Sequence, residues 1–280
     1  MSGSRTLVLL PAICLALTAL LWGQSAPAAS TLKQAQERVG QISHGHATVH
    51  QVFKGPAGLT GVVLEIQGRK TVAWLTADGQ HLLLGNLFGP NGTNETRAAM
   101  EQVGLIPKPL PVPELTERSA RADGFTVGKK GPLLTAYIDP NCIYCHKFYE
   151  QIMPLVKKGR IRVRFIPVAF LKPSSPGKAA ALLHAKDPAA ALATNEDSFD
   201  TTHEEGGLSP LAHPPAALLA RIKSNTELLG KSGQLATPTL IYCNRKGTPV
   251  LLQGLPDGAI ETMMKSIVDV RNGRCAAAAG

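Results

Sequence analysis

The chain has 280 residues, of which 44% are hydrophobic, so it can bury the core of one large domain or of two compact ones. Its formal net charge of +9 favours acidic partners or anionic surfaces. The basic residues form no stripe interleaved with aromatic residues, and no zinc-finger spacing is present. The sequence therefore predicts a globular protein that does not bind nucleic acid.

Residues 1–29 are predicted to be a signal peptide. Arg5 supplies a positive charge, and an apolar run follows from Leu7 to Trp22. Small residues around Ala26-Pro27-Ala28 then provide a cleavage site near Ala28. The apolar run is shorter than the roughly 20 residues that span a membrane. Export followed by cleavage is therefore expected, with a retained N-terminal anchor as the alternative.

Residues 30–93 are predicted to form a small antiparallel β-domain. A short amphipathic helix that leads into a strand is expected between Ser30 and about Val52. Turn signals at Gly68 and Asp78-Gly79 then separate three β-runs: Val62–Ile66, Thr71–Leu75 and His81–Leu84. A unit of this size has little core of its own, which favours pairing with a second copy.

The segment 94–125 is predicted to be a linker. Its first part, from Asn94 to Val103, has a helical pattern. Prolines at alternate positions then favour a stiff, extended stretch: Pro107, Pro109, Pro111 and Pro113.

Residues 126–273 are predicted to form a second domain with a thioredoxin fold. Its elements follow in the order strand, helix, strand, helical insertion, hairpin and helix. The first strand is expected at Leu133–Ile138, the first helix from Cys145 onward and the second strand at Ile161–Phe170. The helical insertion is expected over 176–234, the hairpin at Thr239–Cys243 with Val250–Gln253, and the last helix from about Asp257 to Val270. The fold class predicted for the whole chain is therefore α+β.

The candidate catalytic residues are Cys142 and Cys145, in the sequence Cys142-Ile143-Tyr144-Cys145. The motif follows a buried strand and opens a helix, where unpaired backbone N–H groups stabilise a thiolate. Such sites lower a cysteine pKa from about 8.5 to between about 3.5 and 7. The second thiol lies one turn along, close enough to form a disulfide with the first. This arrangement predicts reversible thiol–disulfide chemistry. Ile143 and Tyr144, which lie between the two cysteines, are expected to tune the reduction potential of the pair.

A second element of the site is predicted at Thr237-Pro238, which leads directly into the strand Thr239–Cys243. In thioredoxin-like folds a proline at this point is cis and packs beside the two cysteines, and the residue before it offers backbone groups to an extended substrate. X–Pro bonds are only occasionally cis in folded proteins, so the isomer is a prediction. Thr237 and Pro238 are the candidate substrate-binding residues, together with Ile143 and Tyr144.

Other interpretations of the cysteines remain open. Cys142 to His146 also matches the CxxCH signature for haem attachment, which would require a small helical domain and an axial partner for His146. Cys14 would leave with the signal peptide. Cys243 and Cys275 either form a structural disulfide or leave one buried and one reactive free thiol. Their spacing does not supply a second ligand pair for zinc.

Three histidines in the first domain, His44, His46 and His50, are interpreted as partly exposed residues rather than metal ligands. No Ser/His/Asp order and no phosphate-binding glycine loop stands out. The sequence therefore predicts neither a metal nor another cofactor.

Four segments resemble the DsbC/DsbG family of periplasmic disulfide isomerases. They are AYIDPNCIYCHKFYEQ (Ala136–Gln151), FLKPSSPGKAAALLHAKDP (Phe170–Pro188), ATPTLIY (Ala236–Tyr242) and GLPD (Gly254–Asp257). FKGPAGLTG and LTADGQHLLLGNLF in the first domain fit the same family. The resemblance covers nearly the whole chain after residue 29, and within the family it points to the DsbG branch.

The resemblance implies a V-shaped homodimer joined through cystatin-like N-terminal domains, each connected by a helical linker to a thioredoxin-fold domain. Cys142 would be the exposed nucleophile and Cys145 the resolving thiol, acting on misfolded or oxidised exported proteins in the periplasm. A DsbD-type membrane reductant would keep the pair reduced. The branch is also associated with the reduction of sulfenic acids on single cysteines.

The sequence departs from this family at Ile143, where proline is common, and at His146. These departures affect the expected redox potential and partner preference rather than the thiol chemistry. Two other functions compete with disulfide isomerisation: a monomeric dithiol oxidase of the DsbA type, and a chaperone that binds unfolded chains without using its thiols.

Overall fold

The computed structural model describes residues 31–90, 92–271 and 274–275, so the predicted signal peptide lies outside the described residues. The chain divides into two compact units, the first ending at Ile106 and the second beginning at Pro107. In the part of the chain that the structure describes, no helix is both long and apolar enough to span a membrane.

The first unit is an antiparallel sheet of four strands in the order β1-β2-β3-β4, with one helix before the sheet and one after it. The elements are α1 (Leu32–Ile42), β1 (Ala47–Lys54), β2 (Thr60–Ile66), β3 (Arg69–Leu75), β4 (Leu82–Leu84) and α2 (Glu95–Gln102). Between β2 and β3, Gln67 and Gly68 both have positive φ, as a two-residue hairpin turn requires. The antiparallel sheet predicted from the sequence is confirmed.

Each helix of the first unit packs its apolar residues onto the sheet. In α1, Ala35 and Val39 are fully buried in a cluster with Leu64. Ala99 of α2 packs with Val72 and Trp74 in a second cluster. The Trp74 indole N–H donates to the Thr96 hydroxyl of α2 over 2.9 Å, which fixes the helix to the strand.

The second unit contains a sheet in the order β10-β8-β6-β7-β5, with β9 also paired to β8. Its strands are β5 (Phe125–Val127), β6 (Leu133–Ile138), β7 (Arg162–Pro167), β8 (Thr239–Asn244), β9 (Pro249–Gln253) and β10 (Ile267–Val268). β6 and β7 are parallel, and the other pairs are antiparallel. A separate hairpin pairs β11 (Val270–Arg271) with β12 (Arg274–Cys275).

Six helices accompany this sheet: α3 (Val112–Arg121), α4 (Ile143–Lys157), α5 (Ser175–His184), α6 (Pro188–Asp197), α7 (Ala216–Gly230) and α8 (Ala259–Ser266). The helical insertion consists of α5, α6 and α7, between β7 and β8. The main core lies between α4 and the sheet and includes Phe148, Ile152 and Phe165. The predicted order of strands and helices is confirmed, and β5 is an additional strand.

The predicted linker segment 94–125 contributes a helix to each unit, α2 to the first and α3 to the second. Pro113 lies in the first turn of α3, where its missing N–H costs no helical hydrogen bond. The extended stretch predicted from the prolines therefore stops at Pro111. Leu115 of α3 is fully buried against Tyr137 and Ile166.

The predicted closing helix is wrong at its C-terminal end. It ends at Ser266, and Ile267 and Val268 then pair with Asn244 and Cys243 of β8. The cause is the β-branched residues Ile267, Val268 and Val270, which fit a pleated strand better than a helix.

Cys243 and Cys275 form a disulfide with a Cα–Cα distance of 5.3 Å, and this confirms the first of the two alternatives left open by the sequence. The bond attaches the β11–β12 hairpin to β8. Arg274 also lies 2.8 Å from the Glu117 carboxylate of α3.

Candidate active site

The two free cysteines among the described residues, Cys142 and Cys145, lie at the start of α4. Cys142 is the N-cap residue of that helix and has an extended backbone conformation. Its carbonyl oxygen accepts hydrogen bonds from the backbone N–H groups of Cys145 and His146, both at 3.0 Å. Its thiol therefore lies at the positive end of the helix, as an attacking thiolate requires.

A buried carboxylate holds the loop that leads from β6 to Cys142. Asp139 is 1% exposed, and its two oxygens accept four hydrogen bonds. The donors are the backbone N–H groups of Asn141, Phe170 and Leu171, and the hydroxyl of Ser175. The loop before the nucleophile is thereby joined to the segment after β7.

Asn141 extends this network into the helical insertion. Its amide group donates to the hydroxyls of Ser174 and Ser175, and its carbonyl oxygen accepts from the Lys178 ammonium at 3.0 Å. Lys178 is 3% exposed and also contacts the Glu205 carboxylate and the Gly206 carbonyl. The FLKPSSPGK segment, which carries part of the family resemblance, therefore also holds the active-site loop, and no local pattern in the segment predicts this role.

Thr237-Pro238 lies beside the nucleophile, and the peptide bond between the two residues is cis, which confirms the predicted isomer. The Cys142 thiol donates to the Thr237 carbonyl oxygen over 3.3 Å. The structure thus brings together Cys142, Cys145 and Thr237. Of the other predicted substrate-binding residues, Tyr144 is 53% exposed, Ile143 is half-buried and Pro238 is buried.

The two thiols differ in acidity. The pKa of Cys142 is lowered to about 7, mainly because the Cys145 side chain hydrogen-bonds to its sulfur. Partial burial opposes the shift, and hydrogen bonds from the Thr237 side chain and from backbone N–H groups add to it. Complete burial raises the pKa of Cys145 well above its ordinary value, and interaction with Cys142 raises it further. At neutral pH Cys142 is therefore the nucleophile of the pair.

The family resemblance implies that Cys142 is exposed, and this expectation is wrong. Cys142 is 5% exposed and Cys145 is 2% exposed. The Cys142 sulfur lies against the Thr237 carbonyl, which covers it on one side. An exposed apolar surface borders the site instead, since Tyr144 and Leu235 are 53% and 46% exposed.

His146 pairs with Glu196, which is not among the residues predicted from the sequence. Its Nδ1 atom lies 3.1 Å from the Glu196 carboxylate of α6, and its ring stacks on Phe199 with a centroid distance of 4.6 Å. Burial raises the pKa of Glu196 to about 7, although hydrogen bonds from Asn195 and His146 oppose the rise. No local pattern reveals this contact, because the two residues are far apart in sequence and meet only through the insertion.

The histidines that were weighed as metal ligands belong to the first unit. In the first unit, His50 Nε2 lies 3.0 Å from the Glu65 carboxylate. No group of three or more His, Cys, Asp or Glu side chains arranged to hold a metal ion occurs within the described ranges. The motif CIYCH lies between strands of a mixed sheet, not in the small helical domain that the haem alternative requires.

Comparison with known proteins agrees with this geometry. Residues 126–266 match the family described as a thioredoxin-like domain. The chain is 36% identical over 205 residues to the thiol:disulfide interchange protein DsbG of Pseudomonas aeruginosa, covering 73% of this chain and 78% of that protein. It is 29% identical over 236 residues to DsbG of Escherichia coli K12, covering 82% of this chain and 91% of that protein.

A solved structure of Helicobacter pylori DsbG also matches, with 15% identity and a TM-score of 0.37, covering 74% of this chain and 98% of that one. On the matched thioredoxin-like domain and the identity to the Pseudomonas protein, the chain belongs to the DsbG family of thiol:disulfide interchange proteins.

Proposed function

We propose that this protein is a periplasmic thiol–disulfide oxidoreductase that isomerises or reduces disulfides in exported proteins. The observation that carries the proposal is the pairing of an acidic thiol at a helix N-terminus with a buried, weakly acidic thiol one turn away. A thiolate is the attacking species in disulfide exchange, and this pairing makes one at Cys142 near neutral pH.

The reaction begins with attack of the Cys142 thiolate on a substrate disulfide. A mixed disulfide forms between Cys142 and one substrate sulfur, and the other substrate sulfur leaves as a thiolate. The freed thiolate can attack another disulfide of the same substrate and release a different substrate thiolate. Attack of a substrate thiolate on the mixed disulfide then releases Cys142 and completes isomerisation. Alternatively Cys145 attacks Cys142, releases a reduced substrate and leaves the Cys142–Cys145 disulfide. The same first attack on a sulfenic acid forms a mixed disulfide and releases water, and attack by Cys145 then releases the reduced substrate cysteine.

Substrate is held beside the cysteines by Ile143, Tyr144, Thr237 and Pro238 in this proposal. The exposed ring of Tyr144 and the exposed side chain of Leu235 suit apolar segments of unfolded proteins. The same surface supports a chaperone role beside the thiol chemistry. After each reduction cycle a DsbD-type membrane donor returns the pair to the dithiol.

Residues 1–29 are proposed to direct export and residues 30–93 to join two copies. Support for dimerisation comes from β4, the edge strand of the first sheet, where Leu83 and Leu84 are 46% and 58% exposed. An edge strand with exposed apolar residues is a surface for pairing with another chain. Sedimentation of the mature protein tests this, and a monomer at all concentrations would favour the DsbA-type alternative.

Trapping of substrates tests the thiol roles. Cys145→Ser removes the resolving thiol, so mixed disulfides between Cys142 and exported proteins should accumulate in bacterial cells and disappear on reduction. Cys142→Ser should form none. Recovery of equal amounts of adduct from both variants, or of none from Cys145→Ser, would overturn the assignment.

The reduction potential of the pair provides a second test. Equilibration with glutathione should give a value between about −120 and −180 mV, the range of easily reduced isomerases and oxidants. A value below about −270 mV would instead indicate a general reductant or a structural disulfide.

A further inference from the structure

A basic surface that the proposed exchange reaction does not use lies at one end of the second unit. Its five exposed residues are Lys129, Lys130, Lys157, Lys158 and Arg160. They come from two segments, the turn between β5 and β6 and the end of α4 with the turn that follows it. Within the described ranges none of the five forms an ion pair. These five residues are called the basic end surface below.

The fold packs the two segments of the basic end surface against each other. Gly131 has positive φ, and a Cβ atom there would lie 2.5 Å from the carbonyl carbon of Arg160, so this close approach requires glycine. Arg162 Nε donates to the Gly131 carbonyl over 2.9 Å. A Cβ atom placed on Gly159 would lie 3.5 Å from the Cβ of Lys130. The two turns therefore form one surface, and backbone packing brings their charges together.

The basic end surface lies at the opposite end of the sheet from the reactive cysteines. Strands β6 and β7 are parallel, and each is preceded by one of the two basic segments, whereas the active-site loop follows the end of β6. Helix α4 shows the same separation, because Cys142 precedes its first residue and Lys157 is its last. A helix of 15 residues is about 22 Å long. A partner bound at the basic end therefore leaves the cysteines open to substrate proteins.

The charge and the residue types of this surface suit an anionic lipid bilayer. The whole chain carries a formal net charge of +9, so long-range attraction has the same sign as the local attraction. Four of the five residues are lysines, whose ammonium groups act as point charges and need no matched planar partner. Each basic side chain close to an anionic membrane strengthens binding roughly fivefold. Five such residues together are enough for measurable attachment.

The neighbouring cleft favours a membrane over an acidic peptide as the partner. This cleft, of about 470 Å³, lies between α4 and α8 and has apolar walls from Leu155, Ile260 and Met264. Arg160 is the one member of the basic end surface that lines it, and there Glu261 offsets the charge of Lys265. An acidic helix in this cleft would thus meet little of the basic surface. A flat bilayer can contact both basic turns at once.

We propose that the basic end surface binds membranes that contain anionic phospholipid, through the phosphates of the lipid headgroups. The contact holds the second unit at the bilayer with its cysteines at the far end, where exported proteins reach them. It also raises the rate at which the protein meets the membrane donor of the proposed cycle. The setting rests on the proposed export, whereas the binding itself does not depend on the thiol chemistry.

Co-sedimentation of the mature protein with lipid vesicles tests the proposal. The wild type should bind vesicles of phosphatidylglycerol and phosphatidylcholine, and it should not bind vesicles of phosphatidylcholine alone. Salt at about 1 M should release it, because the Debye length then falls to about 3 Å. The binding constant should fall by at least about 100-fold in a variant with four substitutions, which are Lys129→Gln, Lys130→Gln, Lys157→Gln and Lys158→Gln.

A matched variant separates the local surface from the total charge. It loses four other exposed lysines of the second unit and so has the same net charge as the first variant. Its substitutions are Lys108→Gln, Lys223→Gln, Lys231→Gln and Lys246→Gln. The binding constant of this control should fall by less than about fivefold. Equal losses in the two variants would show that total charge governs binding and would overturn the proposal.

Two further outcomes would also overturn it. One is equal binding of the wild type to vesicles with and without phosphatidylglycerol. The other is no binding to the anionic vesicles; if soluble polyglutamate binds instead, the surface is a docking site for an acidic protein. Should the fourfold variant fail to fold, Lys129→Gln with Lys130→Gln alone should weaken vesicle binding by about 20-fold.

Thiol exchange with a model disulfide provides a separate readout in the same preparations. Both fourfold variants should react at the wild-type rate, because Cys142 lies at the other end of α4. A wild type that binds anionic vesicles but shows no exchange would contradict the proposed function and leave the membrane surface in place. A wild type that exchanges thiols but binds no vesicles would do the reverse.

Discussion

The sulfur of Cys142 lies 3.3 Å from the carbonyl oxygen of Thr237, the residue that precedes the cis proline. The contact joins the first residue of the reactive helix to the loop that enters β8. It places the nucleophile next to the backbone group that we propose contacts an extended substrate. Both segments therefore contribute to the burial of Cys142, which is 5% exposed.

The first prediction concerns the acidity of Cys142. The pKa of its thiol is lowered from 9.0 to about 7, and the hydrogen bond from Cys145 is the main cause. The difference corresponds to roughly 3 kcal/mol in favour of the ionised form. Cys145→Ala removes the donor, so the midpoint for alkylation of Cys142 should move towards higher pH. Cys145→Ser keeps a hydroxyl donor and should move it less. Equal midpoints in the two variants would show that the hydrogen bond is not the cause.

The second prediction concerns the pH dependence of stability that comes from Glu196. Its folded-state pKa of about 7 lies above the ordinary value of 4.5, so the folded protein binds a proton that the unfolded chain releases. This contribution is fully present below about pH 4.5 and is lost as the pH rises through about 7. The loss amounts to roughly 3 kcal/mol.

Urea denaturation of the wild type and of Glu196→Gln at about pH 4.5 and about pH 8 measures this effect. The variant should gain stability relative to the wild type at the higher pH. Glu150→Gln removes an exposed carboxylate from the same region and serves as the control for a general charge effect. A stability difference between wild type and Glu196→Gln that does not vary with pH would contradict the prediction.

The third prediction concerns the Cys243–Cys275 disulfide, which closes a loop with a sequence separation of 32. A loop of this length stabilises the folded state by about 3–4 kcal/mol through restriction of the unfolded chain. The double variant Cys243→Ala, Cys275→Ala should lose this amount in denaturant titrations. Its thiol exchange with a model disulfide should be retained, because Cys142 and Cys145 are untouched. Loss of exchange in a folded double variant would show that the two cysteine pairs are coupled.

The fourth prediction concerns Asp139, whose carboxylate accepts four hydrogen bonds while 1% exposed. Asp139→Asn replaces one acceptor oxygen with a donor, so at least one N–H or O–H group loses its partner. Each buried donor left without a partner costs roughly 1–3 kcal/mol. Thermal denaturation should show this loss. Asp200→Asn, at an exposed carboxylate that also accepts from backbone N–H groups, should cost less.

Local signals in the sequence were sufficient for most of the fold and for the reactive pair. Cys142 and Cys145 occur where a buried strand meets a helix, and Pro238 directly precedes the next strand. Both signals depend on residues close together in the chain. The hairpin at Gly68 was predictable for the same reason, since its turn requires positive φ.

The features that the sequence did not reveal depend on contacts between distant segments. Glu196 reaches His146 only because α6 packs beside α4, and Lys178 reaches Asn141 only through the insertion. The burial of Cys142 depends on the Thr237 carbonyl. The end of α8 was missed because pairing of Val268 with Cys243 outweighs its helical pattern.

Strand β8 carries the cis proline loop at its start and the disulfide-bonded Cys243 near its end. The second unit therefore contains two cysteine pairs in opposite oxidation states, and in the proposed cycle a recycling donor reduces one pair and spares the other. Cys243 is completely shielded from solvent, so an incoming thiolate cannot approach that sulfur in line with its bond. The structural bond is thus protected at Cys243, whereas Cys275 is half-buried and lines a cleft, so a donor would have to attack at Cys275.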